Sequence, residues 1–162
     1  MGYPVYKKLG FNLEMPYAHF KADKPFAERR ISDAVIPYEH GYLEELLALD
    51  RFVSAEDRAE TITRHLQSAM IYVNGDSLEG FYLPALTNGF VIANNDVAGI
   101  ELMNCRLQHF NYAVLPETNT TAIHYLQQQN LLQFRISRRM YMGRKRAWHT
   151  GKIYNRISGQ LG

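Results

Sequence analysis

Residues 110–142 organise the chain and read FNYAVLPETNTTAIHYLQQQNLLQFRISRRMYM. The apolar run that ends at the proline predicts a strand, and a helix is expected to begin at Glu117 or Thr118. The spacing of Ala122, Ile123 and Leu126 is typical of the buried face of a helix that lies on a sheet. A second run of apolar and aromatic residues, 131–142, predicts another strand. The stretch therefore predicts a strand, a crossover helix and a strand.

The second half of this pattern has a fainter copy at the start of the chain. The helix is expected to end at Asn130, because Asn tolerates a left-handed cap second only to Gly. Residues 3–11, YPVYKKLGF, read as the last turns of a helix with Gly10 as its cap, and a long strand follows to residue 21. When Gly10 is placed over Asn130, Tyr6 falls on Leu126. A repeat separated by 120 residues (130 − 10) indicates two similar domains rather than a solenoid.

We therefore divide the chain into four parts. Residues 1–22 are interpreted as the end of a preceding domain, 23–30 as a linker interrupted by a proline, 31–144 as the main domain, and 145–162 as a basic tail that could include a terminal strand. An apolar strand without its own domain is a sticky edge. We therefore expect residues 1–22 to pack on the edge of the main sheet or to pair between two copies in a homodimer.

The main domain is expected to alternate strands and helices. Residues 31–38 predict a strand, and 42–52 predict a helix that buries Leu43, Leu46, Leu47 and either Leu49 or Phe52. Ser54 is expected to cap a further helix that runs to about residue 68. Strands at 69–73 and 79–83 flank Asn74-Gly75, which is a strong hairpin signal, and 89–92 predict a third strand. This order indicates an α+β fold with a mixed sheet.

Composition excludes several classes of protein. Of the residues, 46% are hydrophobic and 21% are charged, as in an ordinary globular domain. No apolar run reaches the ~18 residues of a membrane span, and the N-terminus lacks a signal-peptide core. The single cysteine, Cys105, excludes an internal disulfide and lies in a helical pattern that predicts burial. We therefore expect a cytoplasmic protein that does not bind membranes.

The charge is distributed unevenly. Eight Lys or Arg and no acid lie from Arg135 to the end, whereas residues 1–134 carry ten bases and sixteen acids. A basic tail can contact nucleic acid, a cofactor phosphate, an acidic partner, or the acidic body of its own chain. Residues 144–156 contain two aromatics, Trp148 and Tyr154, and no RNA-binding motif, so the intramolecular interpretation is favoured over nucleic acid.

Several of these residues resemble the GNAT superfamily of acetyl-CoA-dependent N-acyltransferases. Its pattern Asn-x-x-Ala-Ile-x-x-Tyr-x-x-x-Gly-Phe is matched in its first part by Asn119, Ala122 and Ile123, and in its last part by Tyr6, Gly10 and Phe11. Residues 80–144 and 152–162 resemble the second, C-terminal GNAT-like domain of tandem GNAT proteins. The resemblance implies a GNAT fold, which is α+β with a mixed, mainly antiparallel central sheet and flanking helices.

The resemblance also implies a site for acetyl-CoA where the third strand meets the next helix. Backbone N–H groups at a helix start bind the pyrophosphate, and those of Phe90 to Ile92 would orient the acyl carbonyl. The cofactor-binding residues it implies are Phe90, Ile92, Asn95, Asp96, Val97, Ala98, Gly99 and Asn119. The loop departs from the family pattern, since it has one Gly and no leading Arg or Gln. Asp96 is expected to cap the helix, and its charge opposes a pyrophosphate.

The general acid of the family is a helix tyrosine, and its position here holds Leu126. Tyr125 is the nearest candidate, although one residue turns a side chain by ~100° around a helix. Tyr6 matches the family tyrosine in the first copy, whose cofactor-binding part would precede Met1. The six histidines form no His-x-x-x-His pair, so we expect no metal site.

Three functions stay open. The first, an enzyme, is a GNAT-type transferase that moves an acetyl group from acetyl-CoA to the amine of a small molecule or peptide. The second is a catalytically degenerate GNAT-like domain for substrate recognition or for docking to a catalytic partner domain. The third is an RNA- or partner-binding module that uses the basic tail. Leu126 and the altered loop favour the second.

Overall fold

The computed structural model describes residues 3–26 and 30–157. Its helices and strands are α1 Tyr3–Lys8, β1 Asn12–Lys21, β2 Val35–Pro37, α2 Leu43–Ser54, α3 Ala59–Thr63, β3 Met70–Asn74, β4 Ser77–Leu83, β5 Phe90–Ala93, α4 Asp96–Leu107, β6 Tyr112–Pro116, α5 Thr120–Gln128, β7 Leu132–Tyr141 and β8 Ile153–Asn155. Three short 3-10 turns lie at His40–Tyr42, Leu66–Ser68 and Thr150–Lys152.

The strands form two antiparallel sheets. The first has the order β2-β3-β4-β5-β8 and the second the order β6-β1-β7. After β5 the chain leaves the first sheet through α4, and at β6 it returns to the second sheet, which already contains β1. The predicted α+β class with mainly antiparallel sheets and flanking helices is confirmed.

Strand β1 lies in the middle of the second sheet. Its residues 17–21 pair with β6, and its residues 12–21 pair with β7. Both edges of β1 are therefore hydrogen-bonded within the chain. The N-terminal segment does not pack on the sheet edge, because β1 fills the gap between two strands that lie about 20 residues apart in sequence.

The repeated helix end is confirmed at the level of the backbone. Gly10 has φ 89° and Asn130 has φ 60°, so both lie in the left-handed region. The N–H of Phe11 donates to the carbonyl of Tyr6 over 3.0 Å, and the N–H of Leu131 donates to the carbonyl of Leu126 over 3.0 Å. Both helices thus end in the same capping motif, which satisfies their last carbonyl groups.

Two helix starts differ from the prediction. Helix α5 begins at Thr120 rather than at Glu117 or Thr118, because the Glu117 N–H still bonds to the carbonyl of Pro16 on β1. The cap of α4 is Asn95 and not Asp96, since the Asn95 Oδ1 accepts a 3.0 Å bond from the Ala98 N–H. Both corrections place an Asn at the cap, which is among the preferred residues there.

Residues 31–54 differ more from the prediction. Strand β2 is only three residues long, because a turn at Ser32 accepts bonds from the backbone N–H groups of Ala34 and Val35. Ser54 ends α2 instead of capping the next helix, and its Oγ accepts from the Glu56 N–H over 3.1 Å. Phe52 is 49% exposed, and Val53 takes the buried position of that turn.

Two large clusters of apolar side chains form most of the core of the described residues, and a small third one contains Met15, Tyr17 and Val114. One packs α4 and α5 against β1 and β6 through residues such as Ala18, Phe20 and Leu126. The other packs α2 against β4 and β5 through residues such as Leu46 and Phe81. In the described part of the chain, no helix is long and apolar enough to cross a membrane.

Candidate functional site

The turn from β5 into α4 is the predicted cofactor site. Phe90 and Ile92 point their side chains into the core, where they are 2% and 0% exposed. Asn95, Asp96 and Val97 lie at the surface in the first turn of α4. Ala98 and Gly99 are buried beneath that turn.

The C-terminal strand β8 occupies the edge of β5 opposite β4. Val91 pairs with Asn155 and Ile92 pairs with Ile153, while residues 90–93 pair with β4 on the other side. Strand β8 also reaches the second sheet, because the Asn155 Oδ1 accepts a 2.9 Å bond from the Val114 N–H. It therefore fills the space between β5 and β6.

Tyr154 lies directly on the helix start. A Cβ placed on Gly99 would lie 2.1–2.4 Å from three carbons of the Tyr154 ring, so the ring occupies the space that the missing side chain leaves. The Tyr154 hydroxyl donates to the Asp96 Oδ1 over 2.7 Å. Burial, and then the nearby Asp96 carboxylate, raise the pKa of Tyr154, so its hydroxyl stays protonated at neutral pH.

Three polar side chains form further hydrogen bonds that join residues 152–155 to the rest of the fold. Asn119 caps α5 with its Oδ1 and donates from Nδ2 to the Ile153 carbonyl over 3.1 Å. Asn155 donates to the Gly89 carbonyl over 2.7 Å. Lys152 donates to the carbonyl and to the Oδ1 of Asn94 at the mouth of the loop. The predicted cofactor-binding residues thus lie close together, but β8 occupies the space between them.

These residues, as arranged, do not fit acetyl-CoA. A donor that reaches from the start of α4 to the backbone of Phe90–Ile92 has to follow an edge of β5, and β4 and β8 cover both edges. The groove above Gly99 that would let a ligand approach the backbone holds the Tyr154 ring. Asp96 adds a carboxylate where the helix dipole would otherwise favour an anion.

The candidate positions for the general acid lie away from the turn between β5 and α4 or are occupied by side chains that contact other parts of the fold. The Tyr125 hydroxyl donates to the Asn104 Oδ1 and links α5 to α4. Leu126, at the position of the family tyrosine, is fully buried in the core. Tyr6 is 49% exposed and packs edge-on against Phe11, with 5.3 Å between ring centroids. None of these contacts assigns a role in catalysis.

Glu79 is an acidic residue that the structure places beside the turn between β5 and α4. Its Oε2 accepts a 2.7 Å bond from the Asn95 Nδ2, and its Oε1 accepts from the Asn74 side chain over 3.2 Å. Within residues 3–26 and 30–157, no group of three His, Cys, Asp or Glu side chains could hold a metal ion.

The basic end of the chain pairs with its acidic body. Arg139 lies 2.7 Å from the Glu14 carboxylate, and Arg146 lies 2.5 Å from that of Glu56. Trp148 donates from its indole N–H to Glu14 over 3.0 Å. This is the intramolecular pairing that the uneven charge predicts.

Sequence reasoning missed two sets of residues. It did not foresee that Tyr154 contacts the start of α4 or that Asn155 bonds to Gly89 and Val114, because a strand of three residues carries little signal in the sequence. It also missed Arg106, which is fully buried and donates to the carbonyls of Asn88, Gly89 and Tyr112. Its position on an otherwise apolar helix face was the available signal.

Comparisons with known proteins bear on the fold. No protein-family model matches the sequence, and no curated protein matches it at a significant level. Among solved structures, the chain resembles a protein from Pyrococcus horikoshii that is provisionally described as an acetyltransferase, with a TM-score of 0.78 and 19% identity. The match covers 99% of this chain, which spans 57% of the length of the other. The chain therefore has the GNAT-like fold of acetyltransferases.

Proposed function

We propose that this is an acetyltransferase-type domain whose acyl-donor cleft is closed by its own C-terminal segment. In this form it serves substrate recognition or docking to a catalytic domain rather than acyl transfer. The single observation that carries the proposal is the pairing of β8 with β5 at Val91 and Ile92, on the edge that the donor needs.

The sequence supports the same conclusion independently. The family tyrosine is replaced by Leu126, which is part of the core. The helix start offers a carboxylate, Asp96, and that carboxylate is bound by Tyr154 and by the Thr121 hydroxyl. A site selected for a pyrophosphate would present positive charge or bare N–H groups there.

The docking partner that we propose is a catalytic GNAT-like domain. Support comes from the length of the Pyrococcus horikoshii protein, since the present chain spans 57% of it. Helix α1 and the turn after it offer a surface for such a partner, because Val5 and Leu9 are 58% and 63% exposed. A homodimer through residues 1–22 would use the same helix, since β1 has both edges paired.

Acyl transfer to the amine of a small molecule or peptide is the second candidate. The likeness to an acetyltransferase suggests acyl-CoA use, and the exposure of Asn95 and Val97 at the start of α4 favours it. This function requires β8 to leave β5 before the donor binds. RNA binding through the basic tail is less well supported, since Arg139 and Arg146 are held in ion pairs.

The melting temperature with and without 1 mM acetyl-CoA distinguishes these candidates. A ligand at 100 times its dissociation constant adds ~2.7 kcal/mol, which raises the midpoint by roughly 5 to 10 °C for a domain of this size. We expect no shift with acetyl-CoA or with CoA. An active GNAT enzyme in the same buffer serves as the positive control.

A rise in melting temperature with acetyl-CoA would contradict the proposal if that rise requires an unaltered start of α4. Val97 is 63% exposed, so Val97→Glu adds a carboxylate to the first turn of α4 without a clash. If acetyl-CoA stabilises the natural protein and not Val97→Glu, the loop binds the donor and the acyltransferase candidate is correct. Gly99→Glu cannot serve here, because its side chain would collide with Tyr154.

A further inference from the structure

Strands β1 and β7 are related by a local two-fold axis. The repeat in the sequence places Gly10 over Asn130, and the same offset of 120 residues (130 − 10) places Tyr17 over Ser137. The structure pairs Tyr17 directly with Ser137, so the axis passes between these two residues. Every pair on one side of the axis has a counterpart on the other, and the pair of residues 12 and 141, for example, corresponds to the pair of residues 21 and 132.

The irregularities of these elements obey the same symmetry. Each strand has one extra residue that no residue of the other strand opposes, Glu14 in β1 and Phe134 in β7. These two residues are again 120 apart (134 − 14). Helices α1 and α5 end at Lys8 and Gln128, which have the same spacing. The unit α1–β1 is therefore a structural repeat of α5–β7 that includes its bulge.

The two repeats differ in what covers them. Strand β1 pairs with β7 on one edge and with β6 on the other, whereas β7 has no neighbour on its second edge among the described residues. Leu126 of α5 is 0% exposed in a core cluster with α4 and β6, while Tyr6, its counterpart on α1, is 49% exposed. Within the described chain, α1 and β7 thus lack counterparts of α4 and β6.

Exposed apolar side chains are concentrated on α1 and β7. Of the ten large apolar side chains that are exposed among the described residues, eight lie within residues 5–13 and 132–142. A concentration of this kind marks an interaction surface. Strand β7 is also ten residues long, and a long strand with a free edge is a template for pairing with another strand.

A second copy of this chain does not suit the surface. The strand that pairs with β7 must correspond to β6, and β6 of a second copy is bonded to β1 on one edge and, through Val114, to Asn155 and Arg156 on the other. Pairing of β7 with β7 of a second copy would join two strands that each carry three Arg and no acid. Like charges that face each other across a ladder are unfavourable.

We propose that the free edge of β7 and the exposed side of α1 bind the catalytic GNAT-like domain named above as docking partner. That domain contributes a strand and a helix that correspond to β6 and α4. The inference rests on the proposed docking function and specifies its surface. The two-fold axis also fixes the register, since residues 17–21 pair with 112–116 of β6 and their counterparts on β7 are residues 137–141.

A graft of the absent strand tests this register. Residues 110–122, which form β6, the turn after it and the start of α5, are duplicated and placed before Tyr3 in exchange for residues 1 and 2. Because 122 and 2 differ by the same 120 residues, the grafted strand joins α1 through the connection that joins β6 to α5. The duplicate of Ala113 is then expected to pair with Met140, as Ala113 pairs with Phe20.

Amide hydrogen exchange of residues 137–141 is the readout. Alternate N–H groups of this segment face the free edge, and we expect them to exchange about tenfold or more slowly in the grafted protein than in the natural protein. The control graft carries Ala113→Pro and Leu115→Pro in the duplicate alone. In β6 the N–H groups of these two residues face β1, because that of Val114 faces Asn155, so proline removes the donors that the ladder needs.

Two results would overturn the proposal. One is equal exchange of residues 137–141 in the graft and in the control graft, with melting temperatures that show both proteins to be folded. The other is a dimer of the natural protein in sedimentation velocity whose amides at 137–141 are protected, because a second copy would then cover β7. A peptide of residues 110–118, added in excess to the natural protein, gives the same readout without altering the chain. The acetyl-CoA melting experiment tests the closed cleft separately, so the two proposals fail independently.

Discussion

Gly99→Ala tests the position of Tyr154 on α4. In a helix interior Ala is favoured over Gly by about 1 kcal/mol, so the substitution would stabilise the protein if the space were open. A Cβ at Gly99 instead lies 2.1–2.4 Å from the Tyr154 ring carbons, where van der Waals contact needs 3.4 Å or more. The ring would have to move by roughly 1 Å or more, as in other overpacked cores.

The ring has little freedom to move. Tyr154 is 1% exposed, and its hydroxyl is held by Asp96. Overpacking costs about 1–3 kcal/mol, and loss of a hydrogen bond to a charged group costs about 1.5–3 kcal/mol. After subtraction of the gain in helix propensity, we expect a net loss of about 1.5–5 kcal/mol, or roughly 3 to 20 °C in melting temperature.

Thermal unfolding followed by circular dichroism measures this loss, with Gly41→Ala as the control. Nothing lies within 4 Å of a Cβ on Gly41, so that variant should match the natural protein or exceed it. In a Tyr154→Ala background, Gly99→Ala should become stabilising by about 1 kcal/mol, since the space is vacant. The reasoning is refuted if Gly99→Ala stabilises the natural protein as Gly41→Ala does.

Three further predictions follow from buried polar groups. Arg106→Met should lower the free energy of unfolding in urea by about 3 kcal/mol or more, because it removes the charged hydrogen bonds from the buried guanidinium to the carbonyls of Asn88, Gly89 and Tyr112; an unchanged urea midpoint would contradict this. Asn155→Ala should cost about 2–4 kcal/mol in the same assay, since it breaks the bonds to Gly89 and Val114, and a loss no larger than that of an exposed substitution would count against it. The lowered pKa of His19, about 4 against 6.5 when unfolded, means that the unfolded state binds an extra proton between these pH values. The free energy of unfolding should therefore fall as the pH decreases from 6.5 towards 4, and His19→Gln should remove this part; an NMR titration with the His19 pKa near 6.5 would disprove it.

Local signals predict the structure where it depends on residues that are close in sequence. Gly10 and Asn130 lie in the left-handed region at two helix ends, as their residue types predict. The Asn74-Gly75 hairpin joins β3 and β4 as expected. Ala55 shows the limit, because it takes φ 54° without being Gly or Asn, and the end of α2 was therefore placed too early.

Long-range pairing could not be predicted from the same signals. The sequence predicts a strand at residues 12–21, but its place between β6 and β7 depends on partners about 100 residues later. The sequence also indicates the start of α4 as the candidate site, yet its contact with Tyr154 depends on the register of a three-residue strand. Burial of Arg106 depends on carbonyl groups from the loop before β5 and from the first residue of β6.

Amide hydrogen exchange of residues 153–155, with and without 1 mM acetyl-CoA, tests the central claim most directly. The claim is that β8 is a stable part of the sheet beside β5, so the paired amides of 153–155 should be protected and acetyl-CoA should not change them. Fast exchange at 153–155 in the free protein would contradict the claim. Loss of their protection on addition of acetyl-CoA, while residues 90–93 stay protected, would show that the donor displaces β8 and that the cleft is a working acyl-CoA site.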